Sequence, residues 1–136
     1  MAKINAALSA QQPNRQPASF GVTELVLAAN EPQQLAMVLP MIAHLSHKET
    51  DRWITWIAPQ GIDRSLLETF GVDTQRLRLI HSPNHQDYSW VIWEALRTGT
   101  SHTVIANVGA LPEKAIRQLN EAAHVGHCDG LLLRFR

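Results

Sequence analysis

The sequence predicts an α/β domain in which a mostly parallel sheet carries helices on both faces. Strand-like and helix-like segments alternate along the chain, and the connections between them are short. Parallel strands require crossover connections, and right-handed helical crossovers place helices on both sides of a sheet. Several of the strand segments also lack a regular alternation of apolar and polar residues, as expected when both faces of the sheet are covered.

The chain has 136 residues, which is enough for one domain. Its first 19 residues, MAKINAALSAQQPNRQPAS, are rich in Ala, Gln, Asn and Pro and show no sustained apolar period. We therefore expect residues 1–19 to form a flexible N-terminal tail. Residues 20–136 are expected to form a single α/β domain.

The first strand and helix are predicted from FGVTELVLA (20–28) and the segment that follows it. Asn30 or Glu31 can cap the helix, and Pro32 suits its first turn because a missing N–H costs nothing there. Pro40 lies inside the helical pattern and should kink the helix or break it in two. A buried stripe at helical spacing is formed by Leu35, Val38, Leu39, Ile42 and Leu45.

The second strand is predicted from RWITWIA (52–58) and the third from LRLIH (77–81). Between them Asp63 can cap a short helix that runs through Phe70. Gly71 should end this helix in the left-handed conformation that glycine adopts readily.

The second half of the chain continues the alternation. A helix is expected over about 86–98, a fourth strand over HTVIAN (102–107), and a helix that Pro112 opens and that ends near His124. The fifth strand is predicted from GLLLRFR (130–136).

The charge balance argues against nucleic acid as a partner. Twelve basic and twelve acidic residues cancel, whereas a nucleic-acid-binding domain of this size normally has a basic excess.

The single cysteine, Cys128, excludes an intramolecular disulfide and fits a reducing compartment. No apolar run approaches the roughly 20 residues that cross a bilayer, and no signal-peptide core begins the chain. We expect a cytoplasmic protein that does not bind membranes.

Motifs for nucleotide chemistry are missing from the sequence. The loop after the first strand, AANEP (28–32), has no glycine, no lysine and no Ser or Thr at the spacing of a phosphate-binding loop. The seven glycines are scattered singly, so the chain has neither a Gly-rich loop nor a GxGxxG motif. The sequence predicts a protein that is not an enzyme and that uses no cofactor.

Two histidine pairs are candidate metal ligands. HLSH (44–47) is typical of a helix C-terminus, where histidine interacts favourably with the helix dipole. HVGHC (124–128) brings His124, His127 and Cys128 together in sequence, but zinc requires three or four ligands held tetrahedrally with a supporting shell. A polar turn between a helix and a strand is the favoured interpretation of this segment, and a metal site is the alternative.

The tryptophans raise the question of core against contact surface. In the second strand, alternation places Trp53 and Trp56 on opposite faces of the sheet, and we expect both to be structural. The helix within DYSWVIWEALR (87–97) is apolar around most of its circumference. Such a helix is either deeply buried or faces a partner. Trp90 and Trp93 are therefore candidates for a dimer interface, with simple core packing as the alternative.

Four segments occur in a recognisable order: the Leu-rich helix interrupted by Pro40, RWITWIAPQ (52–60), EALRTGTSHTVIAN (94–107) and LNEAAHVGHCDGLLLR (119–134). On these segments the sequence resembles the SulA family, the bacterial SOS-induced inhibitors of cell division. The resemblance extends over roughly residues 20 to 135. The resemblance implies a RecA-like core that lacks a P-loop, and a homodimer. It also implies binding to FtsZ, the tubulin-like division GTPase, which would block polymerisation and the GTPase activity that depends on assembly.

The resemblance also implies which residues contact FtsZ. The contact segments of the family match four positions of this chain: Arg52, Ile57, Leu66 and Arg76. Two apolar groups and two cations suit an acidic partner, because charge steers the encounter and apolar area is desolvated. Leu67 and Phe70 are added because the short helix after the second strand has more apolar residues than its packing needs.

The C-terminus of the sequence and the predicted fold class each leave alternatives open. Longer members of the family continue into a polar tail that marks them for the Lon protease, whereas this chain ends at Arg136. Either the tail is missing from this sequence or this member is turned over differently, so the Lon protease stays a candidate partner and degradation through such a tail is not assumed. The sheet could also belong to a divergent nucleotide- or metal-dependent enzyme, or to a RecA-like relic that binds DNA, on the analogy of fold alone.

Overall fold

The computed structural model describes residues 20–28, 32–48, 51–59, 61–81 and 88–135. The predicted tail (1–19), the predicted helix cap at Asn30 or Glu31 and the final residue lie outside these ranges.

The described residues form five strands and four α-helices, which alternate along the chain as the sequence predicted. The strands are β1 (Val22–Leu27), β2 (Trp53–Ile57), β3 (Leu77–Ile80), β4 (Ser101–Val108) and β5 (Asp129–Phe135). The helices are α1 (Pro32–Ser46), α2 (Arg64–Thr69), α3 (Ser89–Arg97) and α4 (Glu113–Gly126), and a 3₁₀ turn (Thr74–Arg76) precedes β3.

The five strands form one sheet in the order β1-β5-β4-β2-β3, and every neighbouring pair is parallel. The expectation of a mostly parallel α/β sheet is thus confirmed. The chain first crosses from β1 to β2 and β3, and then returns through β4 to β5. A right-handed connection in each direction places the first two helices on one face and the last two on the other.

Two apolar clusters lie on the two faces of the sheet. Alternate residues of the same strands enter different clusters: Ile105 of β4 belongs to the cluster under α1 and α2, whereas Val104 and Ala106 belong to the cluster under α3 and α4. The same alternation separates Leu131 from Leu132 in β5. Both faces of the central strands are therefore buried, and this burial explains their missing alternation.

Local signals placed most helix ends correctly. Asp63 caps α2 as predicted, since its carboxylate accepts a hydrogen bond from the Leu66 N–H at 2.8 Å. Gly71 adopts a φ of 87°, as expected after this helix. Of the two predicted effects of Pro40, the break is wrong, because α1 continues through it as one helix, whereas the kink stays a prediction.

The end of α4 also differs from the prediction. The helix begins at Glu113 with Pro112 at its cap position, and it extends to Gly126 rather than ending near His124. His127 then takes the left-handed conformation, with a φ of 50°. Gly126 stays helical because it packs against the last turn of α3, as described below. Within the described ranges, no helix is long and apolar enough to cross a membrane.

Candidate partner-binding site

Arg52 lies immediately before β2 and binds the end of a distant helix. Its Nη1 donates to the carbonyl oxygens of His127 at 2.9 Å, Gly126 at 3.3 Å and Ser101 at 3.4 Å. Two of these carbonyls end α4, where the helix dipole concentrates negative partial charge. The half-buried guanidinium therefore stabilises the C-terminus of α4 from within the protein.

Near Arg52 the last turns of α3 and α4 are in close contact. A Cβ atom placed on Gly126 would lie 1.9 Å from the carbonyl oxygen of Leu96 in α3. The C-terminal ends of α3 and α4 therefore touch through backbone atoms, which only glycine allows. Beside this contact, the Arg52 guanidinium donates hydrogen bonds to Gly126 O in α4 and to Ser101 O in β4, and so links the end of α4 to the sheet.

Trp53 supports a second group of basic side chains. The guanidinium of Arg76 lies 5.7 Å from the centroid of the Trp53 ring, and that of Arg78 lies 5.2 Å from it. Arg76 is exposed, whereas Arg78 and Trp53 are half-buried. Cation–π contacts of this kind orient the guanidinium groups without cancelling their charge.

Arg78 is held further by a cluster of hydroxyl groups. Its Nη2 donates to Ser101 Oγ at 3.0 Å and to Thr100 Oγ1 at 3.1 Å, and its Nε donates to Thr55 Oγ1 at 3.3 Å. The buried hydroxyls of Thr55 and Ser101 also bond to each other at 2.7 Å. Neutral partners from β2, from β4 and from the residue before β4 thus fix the position of Arg78.

Two of the predicted contact residues have no accessible surface. Ile57 and Leu67 are both 0% exposed, and each belongs to one of the two core clusters. Leu66 and Phe70 are half-buried and pack against the core under α1 and α2. The sequence suggested a free apolar surface on α2 because it does not show that this short helix must cover two strands.

The predicted residues do not form one compact patch. Arg52 and Arg76 precede β2 and β3, so they lie at the amino ends of the strands, whereas Ile57 lies at the carboxyl end of β2. Five steps of extended chain separate Arg52 from Ile57, or roughly 16 Å. The structure therefore gathers the basic residues at one end of the sheet and leaves Ile57 in the core at the other.

The two tryptophans of β2 point to opposite faces, as predicted. Trp56 is completely buried in the cluster under α1 and α2, and its Nε1 donates to Asn107 Oδ1 at 2.7 Å. Trp53 lies on the other face with the arginines. Both are structural residues, although Trp53 also orders exposed charge.

The helix α3 is apolar on its inner and its outer side. Ile92 and Leu96 are buried against the sheet, whereas Trp90 is 66% exposed. Trp93 is half-buried, and the Arg97 guanidinium lies 5.2 Å from its ring centroid. Packing against the sheet therefore accounts for the apolar residues on the inner side of α3. It does not account for the exposed indole of Trp90.

Clefts lie on both sides of Trp90. One, of about 550 Å³, separates α3 from α4 and is lined by Ser89, Trp90, Trp93, Gln118 and Glu121. The other, of about 290 Å³, lies between α3 and the edge strand β3. Sequence reasoning missed this second cleft, because its walls come together only through the pairing of β2 with β3.

The histidine and cysteine segment at the end of α4 is divided between surface and core. His124 and His127 are exposed, whereas Cys128 is buried. Within the part of the chain that the structure describes, no three His, Cys, Asp or Glu side chains are grouped as metal ligands.

Comparison with known proteins identifies the family. The family model described as "Cell division inhibitor SulA" matches residues 21–130, from the start of β1 into β5. The chain belongs to the SulA family. The cell division inhibitor SulA of Pseudomonas aeruginosa is 32% identical over 120 residues, which cover 88% of this chain and 73% of that protein. SulA of Yersinia enterocolitica is 27% identical over 114 residues, which cover 83% of this chain and 67% of that protein.

The fold agrees with that of a solved SulA. The crystal structure of SulA from Pseudomonas aeruginosa superposes with a TM-score of 0.77 at 30% sequence identity. The matched region covers 85% of this chain and 98% of the SulA chain. The resemblance to the SulA family found in the sequence is therefore confirmed by family model, relatives and fold.

Proposed function

We propose that this chain inhibits bacterial cell division by binding FtsZ in the cytoplasm during the SOS response. Binding blocks FtsZ polymerisation and the GTPase activity that depends on assembly, and the chain itself carries out no reaction. The observation that supports this proposal most is the match of residues 21–130 to the family of cell division inhibitors. The agreement in fold with a solved SulA adds to it.

Within this proposal, the six predicted residues divide into two roles. Arg76 is exposed, and Leu66 and Phe70 are half-buried, so these three side chains contact FtsZ directly. Arg52, Ile57 and Leu67 act indirectly, through the fold: Arg52 is half-buried before β2, and Ile57 and Leu67 lie in the two core clusters. Their substitution would weaken binding through the fold, since Arg52 is bound to carbonyl oxygens and the other two are core residues.

Sedimentation of FtsZ assembled with GTP tests the function. The wild-type chain, in roughly stoichiometric amount, should prevent FtsZ from pelleting. Arg76→Glu should restore the pellet, because it reverses an exposed charge that faces the acidic partner. Lys114→Glu is the matched control, since Lys114 is an exposed cation on α4, and it should inhibit as well as wild type. An unchanged polymer yield with excess wild-type chain would refute the function.

We also propose that the chain forms a homodimer through Trp90 and Trp93. The supporting observation is the 66% exposure of the Trp90 side chain beside a cleft between α3 and α4. A surface with both a projecting indole and a neighbouring cleft is suited to a two-fold interface, because the same patch occurs on both subunits.

Sedimentation velocity tests the dimer. Trp90→Glu should yield a folded monomer, as judged by circular dichroism. Met37→Glu is the control, because Met37 is 72% exposed on α1 in the opposite helix layer, and it should leave the dimer intact. A wild-type chain that sediments as a monomer at micromolar concentration would contradict this proposal.

A further inference from the structure

The cleft between α3 and β3 combines a charged end with an apolar wall. At one end lies Arg78, with the hydroxyl groups of Thr55, Thr98 and Thr100. Ile80, Val91 and Ala95 form the apolar wall, and Trp90 and Glu94 complete the lining. Its volume of about 290 Å³ is sufficient for one or two side chains of a partner.

Arg78 forms no ion pair with any residue that the structure describes, although Glu94 lines the same cleft. Within the described ranges the ion pairs are Lys48 with Asp129 and Glu113 with Arg117, and neither involves Arg78. Its hydrogen bonds go to hydroxyl groups, and its Nη1 donates none of those formed within the described residues. A half-buried guanidinium is stabilised most by a carboxylate, with which it forms short, often bidentate bonds.

The side chain of Arg78 is also fixed in advance of binding. Bonds from two of its nitrogens and the stacking on Trp53 hold the guanidinium in one position. A partner therefore loses little conformational entropy on the side of this protein when it binds there. Arg76 stacks on the same tryptophan, so Arg78 lies close to one residue of the surface proposed above for FtsZ.

We propose that this cleft binds an acidic side chain of FtsZ together with an apolar neighbour in the same segment. The carboxylate accepts hydrogen bonds from Arg78, and the apolar group covers Ile80, Val91 and Ala95. This inference rests on the proposed function, because it specifies the chemistry of one part of the FtsZ surface. Glu94 also lines this cleft and repels carboxylates, so the acidic side chain must bind at the Arg78 end, and a second acidic group is disfavoured.

Binding of the full-length chain to purified FtsZ tests the cleft, measured by biolayer interferometry at two salt concentrations. Ala95→Phe fills the cleft while leaving the Arg78 network intact, and it should weaken binding at least tenfold. Arg78→Met should weaken binding by a similar factor and reduce its dependence on salt. The controls are Ala36→Phe on the exposed side of α1 and Arg117→Met on α4, and both should change the affinity less than twofold.

The outcomes separate this inference from the function itself. If the wild-type chain does not bind FtsZ, the proposed function fails. If the wild type binds and Ala95→Phe binds equally well, the function stands and the cleft assignment is wrong. If Ala95→Phe instead converts a dimer to a monomer in sedimentation velocity, the cleft binds a second copy of the chain, which also overturns the assignment. Ala95→Phe leaves every arginine in place, so the test does not depend on whether Arg78→Met folds.

Discussion

Arg52 and Arg78 lie at the same end of the sheet but in opposite surroundings. Arg52 binds carbonyl oxygens, two of which belong to the end of α4 and carry part of the helix dipole. Arg78 binds neutral hydroxyl groups at the wall of an open cleft. Both arginines therefore form hydrogen bonds, but only Arg52 donates them to groups with the negative partial charge of a helix end. Hydrogen bonds to neutral groups do not by themselves compensate the positive charge of an arginine. The residues around Arg52, at the ends of α3 and α4, are therefore packed together as part of the fold. We call them the closed corner, whereas Arg78 lies in an open cleft that can attract an anion.

The largest effect is expected at the closed corner, from Gly126→Ala. The added Cβ would lie 1.9 Å from the Leu96 carbonyl oxygen, so α3 and α4 must separate. We expect a loss of about 3 kcal/mol in the free energy of unfolding, measured by urea denaturation. Gly109→Ala is the control, because a Cβ there meets no atom within 4 Å. Equal stability of the two variants would show that the corner is not tightly closed.

Arg52→Met should have the next largest effect. It removes hydrogen bonds from a charged donor to three carbonyl oxygens, and we expect a loss of about 2 kcal/mol in unfolding free energy. Arg76→Met, at an exposed position, should leave the unfolding curve unchanged. If Arg52→Met were as stable as wild type but failed to bind FtsZ, Arg52 would be a direct contact rather than part of the closed corner.

Arg78→Met should destabilise the fold less than Arg52→Met does. The hydroxyls of Thr55 and Ser101 remain bonded to each other at 2.7 Å after the guanidinium is removed. We expect a loss of about 1 kcal/mol, measured in the same urea series. A loss equal to that of Arg52→Met would remove the distinction between the closed corner and the open cleft.

The smallest effect is expected from Lys48→Met. Lys48 Nζ binds Asp129 Oδ2 at 2.7 Å, but the two side chains are 40% and 41% exposed. Such a pair contributes about 0.5 kcal/mol, and the contribution should decrease as salt is raised from 0.05 to about 0.5 M. A salt-dependent loss larger than that of Arg52→Met would mean that this exposed ion pair stabilises the protein more than the hydrogen bonds of Arg52 to carbonyl oxygens do.

Local sequence signals identified much of the fold but little of the candidate site. The N-cap at Asp63, the turn at Gly71 and the opposite faces of Trp53 and Trp56 depend on neighbouring residues or on the two-residue period of a strand. The burial of Ile57 and Leu67 cannot be predicted from neighbouring residues, because it depends on which helix covers which strand. The family resemblance gave the positions of a proposed partner-binding surface. It did not distinguish residues that contact the partner from residues that act only through the fold.

The alternation of strands and helices along the chain, the parallel sheet and the family could all be predicted from the sequence. They follow from hydrogen bonding, capping and apolar periodicity, which operate over a few residues, and from similarity along the whole chain. The hydrogen bonds of Arg52 to a helix end 74 residues away, and those of Arg78 to Thr55 and Ser101, could be found only in the folded structure. Those contacts require the register of β2, β3 and β4, which is set by packing both faces of the sheet at once.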